Sequence, residues 1–327
     1  MSNYRNALPQ LDGELFLTDA GIETDLIFNH GIAIREFAAH TLLTDPVGRK
    51  AIVDYFRGFL ALALTQNTGY ILDSVTWKAH LHWAGDLGAD EQQLRASNQE
   101  SIALMGQLRD EFSTNSKPIV LNGVIGPQGD AYAPEAAVAT HEAERYHSKQ
   151  IGWLAETDVD MVSALTFTQS DEASGLVLAA RNAGLPVVVS FTVETDGRLP
   201  TGQPLGEAIE TVDYASDAFA SYFMVNCAHP DHFAHVMVDT PWARRIRGIR
   251  CNASRKSHAE LDASPTLDAG DPIELCHQYV AIMAKMPWLN VFGGCCGSDL
   301  RHVTQIARAL SLTDAGSTGS WHLTQAS

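Results

Sequence analysis

Towards its carboxyl end the chain reads Leu289-Asn290-Val291-Phe292-Gly293-Gly294-Cys295-Cys296-Gly297. A short apolar run that ends in glycines predicts a buried strand that passes into a tight loop. Two adjacent cysteines on such a loop are unusual in a chain with five cysteines. By themselves, Cys295 and Cys296 fit two small core residues as well as a chemical site, because free cysteine is often buried.

A third cysteine, Cys227, follows another apolar run, Tyr222-Phe223-Met224-Val225-Asn226. If both runs are parallel strands of one sheet, all three sulfur atoms emerge at the same edge of that sheet. Three thiolates with one open position form a catalytic zinc site, whereas a structural zinc normally has four protein ligands. We therefore expect Cys227, Cys295 and Cys296 to bind one Zn²⁺ ion.

Short apolar runs alternate with helix-like segments through most of the chain. The runs cover residues 15–19, 70–75, 118–122, 159–165, 186–191, 222–226, 246–251 and 289–292. Helix-like segments lie near 48–66, 89–114, 134–156, 170–183 and 299–310. Eight strand–helix units in about 300 residues predict a single-domain α/β fold, a (β/α)8 TIM barrel. An open doubly wound sheet is the alternative, although no Gly-x-Gly-x-x-Gly pattern follows the first run.

The barrel is expected to cover residues 1–311, and a polar C-terminal tail to cover residues 312–327. Active sites in this fold lie at the carboxyl ends of the strands. The candidate metal ligands should therefore meet in space, although 68 residues separate Cys227 from Cys295. Other polar or cysteine residues at predicted strand ends are Asp19, Asp73, Asn122, Asn226 and Cys251.

The composition argues against several classes of partner. The 327 residues include 22 Lys and Arg against 39 Asp and Glu, which gives a formal charge of −17. Nucleic acids and anionic membrane surfaces require basic patches, so neither is expected as a partner. No apolar stretch reaches the roughly 18 residues of a membrane helix, and no secretory signal is visible. An odd cysteine count favours metal or thiol chemistry over a disulfide framework, and a cytoplasmic location is expected.

The sequence resembles the homocysteine S-methyltransferase family, zinc-dependent barrels that methylate thiols, over about residues 14–311. The most specific matches are Val225-Asn226-Cys227 and the segment 293–297. The segments Gly123-Val124-Ile125-Gly126-Pro127 and Ser190-Phe191-Thr192 are also similar. The resemblance implies a (β/α)8 barrel with zinc on Cys227, Cys295 and Cys296. It also implies methyl transfer to homocysteine or a related thiol, in methionine biosynthesis.

The family resemblance further implies small-molecule partners, a thiol acceptor and a methyl donor. The chain is too short to add cobalamin or folate modules to the barrel, so the donor should bind directly. An S-methylsulfonium or a betaine-like ammonium is expected as that donor, with a separate corrinoid protein as the alternative. The sequence leaves the oligomeric state open, a homo-oligomer included.

Two segments depart from the family pattern. After its first strand the family usually carries Asp-Gly-(Gly/Ala)-x-Gly-Thr, whereas residues 19–24 read Asp-Ala-Gly-Ile-Glu-Thr. The family's fourth strand usually ends in Phe-Glu-Thr, and that Glu binds the amino group of homocysteine. Here Leu165 occupies the position of the Glu, and a leucine cannot pair with an ammonium group. Either Glu23 replaces the lost carboxylate, or the acceptor thiol has no amino group at that position.

Six residues are expected to bind the substrates: Asp19, Glu23, Thr24, Trp77, Thr166 and Asn226. Asp19 should face the acceptor, with capping of a backbone turn as its alternative. Trp77 should wall the donor pocket by a cation–π contact, or else pack at the barrel rim. Lys78 is expected to extend to solvent, with an anionic part of a substrate as its alternative partner. His80 is expected to lie in a loop or at the surface.

Two other functions remain open for this sequence. One is a relative that binds zinc or a thiol without turnover, having lost activity together with the family Glu. The other is a zinc hydrolase, in which the open position holds water. The hydrolase is the weaker alternative because no convincing general base accompanies the cysteines.

Overall fold

A computed structural model describes residues 2–113, 117–131 and 137–314. Eight parallel strands close into a barrel in chain order, and β1 pairs with β8 through Phe16 opposite Val291. The predicted (β/α)8 barrel is therefore confirmed, and the open sheet is wrong. The strands are β1 Phe16–Leu17, β2 Gly69–Asp73, β3 Ile119–Ile125, β4 Met161–Phe167, β5 Val187–Phe191, β6 Tyr222–Asn226, β7 Ile246–Cys251 and β8 Val291–Gly294.

Helices follow the strands and surround the barrel. They are α1 Ile22–Thr24, α2 Pro46–Gln66, α3 Ala84–Leu87, α4 Glu91–Phe112, α5 Thr140–Ala155, α6 Ser170–Asn182, α7 Leu205–Ser216, α8 Pro230–Phe233, α9 His258–Asp262, α10 Pro272–Lys285 and α11 Leu300–Asp314. The sequence analysis did not single out α7 or α10. Shorter turns include a π-helix over Asp25–Asn29 and a 3-10 helix over Arg35–Phe37.

The ends of the main helices follow local chemistry. Asp45 precedes Pro46 and accepts a hydrogen bond from the Gly48 N–H, which satisfies a free donor in the first turn of α2. Asp90 and Gln93 form a capping box at the start of α4. These signals explain why both helices begin close to the predicted residues.

The barrel interior is filled at its amino-terminal end. Its side chains form a cluster separate from the strand–helix core, namely Phe16, Ile71, Val120, Met161, Val188, Tyr222, Met224 and Val291. Leu8 packs against this cluster from the segment that precedes β1. Because side chains fill this end, the barrel offers space for a ligand at its carboxyl-terminal end, as is usual for the fold.

Some predicted boundaries differ from the structure. Helix α5 begins at Thr140 rather than near residue 134, and residues 132–136 lie outside the described residues. Helix α11 continues to Asp314, so residues 312–314 of the expected tail are helical, and 315–327 lie outside the described residues. Within the described ranges, the structure contains no helix that is both long and apolar enough to cross a membrane.

Candidate metal centre and active site

The three candidate ligands meet at the carboxyl edge of the barrel. Cys227 follows β6, and Cys295 and Cys296 follow β8. Their Sγ atoms all lie within 4.8 Å of one another, with 3.8 Å between Cys227 and Cys296. Among the described residues, no other group of three His, Cys, Asp or Glu side chains has ligand atoms this close. The predicted convergence is therefore observed.

Cys227 and Cys295 form a disulfide in this structure, with their Cα atoms 5.3 Å apart. A metal ion binds thiolates, so this disulfide and a metal ion compete for the same two sulfur atoms. In the reduced state the three sulfurs provide a soft donor set that suits zinc. The residues present therefore fit a zinc ion, provided that all three cysteines are reduced.

The cysteine loop after β8 packs tightly against the loop after β1. A Cβ atom at Gly21 would lie 2.6 Å from the Cys295 carbonyl oxygen, so only glycine allows this approach. The Thr24 hydroxyl donates to the Gly21 carbonyl at 2.9 Å and accepts from the Gly297 N–H at 3.1 Å. Thr24 thus connects the two loops beside the cysteines.

A cavity of about 460 Å³ lies over the cysteines, and all three line it. The six residues expected to bind substrates also line it: Asp19, Glu23, Thr24, Trp77, Thr166 and Asn226. Their contacts with a substrate remain predictions. Leu165, where the family carries its Glu, lines the same cavity. The cavity wall also contains the aromatic side chains Phe28, Phe37, Phe56 and Trp83.

Asn226 connects the ends of β4 and β6. Its Oδ1 accepts hydrogen bonds from the Thr166 N–H at 2.9 Å and from the Ser190 hydroxyl at 2.7 Å. Its Nδ2 donates to the Thr166 hydroxyl at 2.8 Å and approaches Cys295 Sγ at 3.8 Å. Asn226 therefore fixes the strand end next to Leu165 and contacts the cysteine cluster.

Arg250 is a site residue that the sequence analysis missed. Its guanidinium binds the carboxylates of Asp19 and Asp73, and its Nε donates to the Gly294 carbonyl at 3.2 Å. Burial by itself would lower the pKa of Arg250, but the two carboxylates raise it above the ordinary value. The available signal was an arginine near the carboxyl end of strand β7, one position before Cys251.

Asp19 and Glu23 are two carboxyl groups of the cavity wall whose ionisation is disfavoured by burial. Burial raises the pKa of Asp19, and it outweighs the opposing effect of Arg250. Burial also raises the pKa of Glu23 to about 7, although its own backbone N–H, Lys78 and Arg250 lower it. A cation placed beside Glu23 would favour the ionised form of its carboxyl group.

Lys78 does not extend freely into solvent, contrary to expectation. Its Nζ donates to the Glu36 carbonyl at 2.9 Å and lies 3.7 Å from the Trp83 ring centroid. The neighbouring Trp77 donates its indole N–H to the Leu165 carbonyl at 3.0 Å, so its ring is fixed against the end of β4. His80 lies in a loop, as expected, but it is buried, at 2% exposure.

Comparisons with known proteins agree with this arrangement. The family model described as homocysteine S-methyltransferase matches residues 16–310. Methionine synthase from Mycobacterium leprae is 24% identical over 269 residues, which are 78% of this chain and 21% of that protein. Methionine synthase from Mycobacterium tuberculosis is 23% identical over 256 residues, 73% of this chain and 20% of that protein. The chain thus spans about one fifth of the length of these curated relatives.

Solved structures show the same fold. The metallated form of the homocysteine methyltransferase MmuM from Escherichia coli aligns with a TM-score of 0.70 at 16% identity, over 92% of this chain and 98% of that one. The oxidized form of the same protein gives 0.71 at 17% identity, over 91% and 97%. The assignment to a family rests on the family model, which matches residues 16–310. The solved structures show that the fold is the same. The chain therefore belongs to the homocysteine S-methyltransferase family.

Proposed function

We propose that this protein is a zinc-dependent S-methyltransferase that transfers a methyl group from an S-methylsulfonium or betaine-like donor to homocysteine or a related thiol. The observation that carries the proposal is the cluster of Cys227, Cys295 and Cys296, with sulfurs within 4.8 Å of one another on the wall of the cavity. Three cysteines form an incomplete coordination sphere that leaves a position for a substrate atom. A methyltransferase of this family needs that position for its acceptor.

The metal would supply one chemical effect. When bound by the three cysteines, zinc would hold the acceptor sulfur as a thiolate at neutral pH, where a free thiol with a pKa of about 8.5 is mostly protonated. The cysteines act as ligands and form no bond to the methyl group. Asn226 and Thr24 keep the two cysteine-bearing strand ends in place through the hydrogen bonds described above.

Glu23 is proposed to bind the amino group of the acceptor in place of the missing family Glu. It lines the same cavity as Leu165, and its carboxylate lies close enough to Asp19 for their charges to interact. Its raised pKa, about 7, indicates a carboxylate that no cation neutralises fully. An ammonium group from homocysteine would pair with it and remove this cost.

The donor would lie against aromatic side chains of the cavity wall. Trp77 and Phe37 line the cavity, and aromatic faces attract sulfonium and quaternary ammonium groups. In the transfer, a bond forms between the acceptor sulfur and the methyl carbon while the bond from that carbon to the donor heteroatom breaks. The donor atom keeps the bonding pair and leaves as a neutral thioether or amine, and the acceptor becomes a neutral thioether. The walls hold both reactants in line, which can supply several kcal/mol of the barrier.

The proposal is tested by metal content and turnover together. Protein purified under reducing conditions should contain about one zinc per chain, and Cys296→Ser should lose most of the zinc and of the methyl transfer. Cys276→Ser is the matched control, because Cys276 is a buried cysteine on α10 that does not line the cavity. Assays should combine homocysteine with S-methylmethionine and with betaine.

Three results would overturn the proposal. Zinc content that is unchanged in Cys296→Ser would remove the three-cysteine centre. Thiol binding without turnover with either donor would favour a binding protein that has lost activity. Hydrolysis of esters or amides in the absence of methyl transfer would favour a zinc hydrolase.

A further inference from the structure

The backbone carbonyl of Cys227 accepts hydrogen bonds from three buried side chains. His258 Nε2 donates to it at 2.7 Å, the Asn252 amide at 3.0 Å and the Thr192 hydroxyl at 3.3 Å. Each of the three side-chain residues is at most 5% exposed. Three donors from separate segments fix the direction of this carbonyl, and with it the orientation of the residue that carries the sulfur.

Cys227 needs such support because its backbone is left-handed, with φ at 56°. A residue with a Cβ atom loses roughly 1–2 kcal/mol in this conformation. Strained backbone of this kind persists where surrounding contacts determine it. The hydrogen bonds to the carbonyl are therefore well placed to keep Cys227 Sγ directed at Cys295 and Cys296.

His258 also connects the metal centre to the wall of the cavity. Its Nδ1 contacts Glu194 Oε1 at 3.0 Å, so the ring is held from both sides. It is the first residue of α9, and the same short helix contributes Leu261 and Asp262 to the cavity lining. A single side chain thus joins Cys227 to a helix that lines the cavity.

We propose that His258, oriented by Glu194, is a positioning residue that sets the direction of Cys227 in the metal centre and keeps α9 against the cavity. This inference rests on the proposed function in that it requires the three cysteines to bind zinc. It differs from the ligand assignment, because His258 contacts the backbone of a ligand rather than the metal. Partners of metal ligands commonly contribute about 10- to 100-fold in metal affinity.

The test compares zinc affinity in His258→Gln and wild type, measured by competition with a chromogenic chelator under reducing conditions. We expect the variant to lose about tenfold in affinity, and the visible absorption bands of Co²⁺-loaded protein to change in position or intensity. The KM for the acceptor should rise more than kcat falls. Glu194→Ala should shift the Co²⁺ bands in the same direction by a smaller amount, while Glu194→Gln, which keeps an acceptor oxygen, should restore them.

His232→Gln is the matched control. His232 is a buried histidine whose ring contacts the Arg255 carbonyl at 2.9 Å, three residues before His258. The His232→Gln variant should bind zinc with wild-type affinity. Unfolding measured on the metal-free proteins should show that each variant is folded. If His258→Gln does not fold, Glu194→Ala decides by its affinity and Co²⁺ spectrum.

Three outcomes distinguish a failure of the proposed zinc site from a failure of the proposed role of His258. Wild type that binds no zinc would overturn the proposed function itself. Wild type that binds zinc, together with folded His258→Gln of unchanged affinity and spectrum, would overturn only the role of His258. An equal loss in His232→Gln would also overturn it, because the effect would then belong to the segment as a whole.

Discussion

The carboxamide of Asn226 forms hydrogen bonds with both the backbone and the side chain of Thr166. Oδ1 accepts from the Thr166 N–H at 2.9 Å, while Nδ2 donates to the Thr166 hydroxyl at 2.8 Å. Thr166 has a left-handed φ of 65° at the end of β4, immediately after Leu165. The strand end that departs from the family pattern is therefore held firmly in place.

Asn226→Ala should lower the free energy of unfolding by about 2–4 kcal/mol. The substitution leaves two buried donors, the Thr166 N–H and the Ser190 hydroxyl, without their acceptor, and each such loss costs about 1–3 kcal/mol. Urea unfolding checks the value. Asn182→Ala is the control, because Asn182 is exposed on α6 and should change stability by less than about 0.5 kcal/mol. Equal small effects at both positions would contradict a structural role for the Asn226–Thr166 pair.

Arg250→Met should destabilise the protein by about 3–5 kcal/mol, because it leaves the buried carboxylates of Asp19 and Asp73 without their cation. Adding Asp19→Asn and Asp73→Asn to the same chain should recover part of the loss, since the uncompensated charges are then removed. Thermal or urea unfolding provides the measurement. Arg244→Met, at an exposed ion pair with Asp239, should cost less than about 1 kcal/mol. If Arg250→Met loses no more stability than Arg244→Met, the cluster of Arg250, Asp19 and Asp73 is exposed to solvent.

Glu23→Gln should weaken homocysteine binding about 10- to 100-fold at pH 8, because a charge-assisted hydrogen bond to the ammonium group is lost. The pKa of Glu23 is raised to about 7, so its carboxylate form predominates above that pH and declines below it. The ratio of wild-type to variant affinity should therefore fall as the pH decreases from 8 to 6. Isothermal titration calorimetry at several pH values measures this ratio.

The matched ligand for this test is 4-mercaptobutanoate, which is homocysteine without the amino group. Its affinity should be nearly the same for wild type and Glu23→Gln at every pH. If homocysteine also binds both proteins equally, Glu23 does not replace the family Glu. Tighter binding of 4-mercaptobutanoate than of homocysteine would favour an acceptor without an amino group.

Removal of zinc should make Cys227 and Cys295 sensitive to oxidation. Their Cα atoms are 5.3 Å apart, which suits a disulfide, and a bound metal ion would use the same sulfurs. Chelator-treated protein exposed to a mild oxidant should lose two free thiols per chain and its capacity to bind zinc. Zinc-loaded protein should keep its thiols under the same treatment, and a reductant should restore the oxidised sample. Thiol titration checks each step.

The closed barrel and the meeting of Cys227 with Cys295 were predictable because both depend on patterns along the chain. Buried parallel strands give continuous apolar runs, and strand ends in a barrel share one edge. The role of Arg250 was not predictable, because its partners Asp19 and Asp73 lie 231 and 177 residues away. The contact of His258 with the Cys227 carbonyl was also not predictable. Every residue has a backbone carbonyl, so the sequence does not indicate which one a side chain will contact. Long-range polar contacts depend on the register of the closed sheet, which local patterns do not specify.

Acid should destabilise this protein through its buried histidines. Burial lowers the pKa of His40 to about 4, against an opposing contact with the Lys78 backbone. A histidine whose pKa is lower in the folded than in the unfolded state stabilises the fold above the unfolded value of about 6.5, and that stability is lost as the pH falls towards 4. For His40 alone, the difference amounts to about 2 kcal/mol between pH 7 and pH 5.

His40→Leu should remove this part of the pH dependence, so urea unfolding at pH 7 and pH 5 should show a smaller loss of stability in the variant. His30→Leu, at an exposed histidine, should keep the wild-type pH dependence. Equal losses in wild type and His40→Leu would mean that His40 can bind a proton without opening the fold.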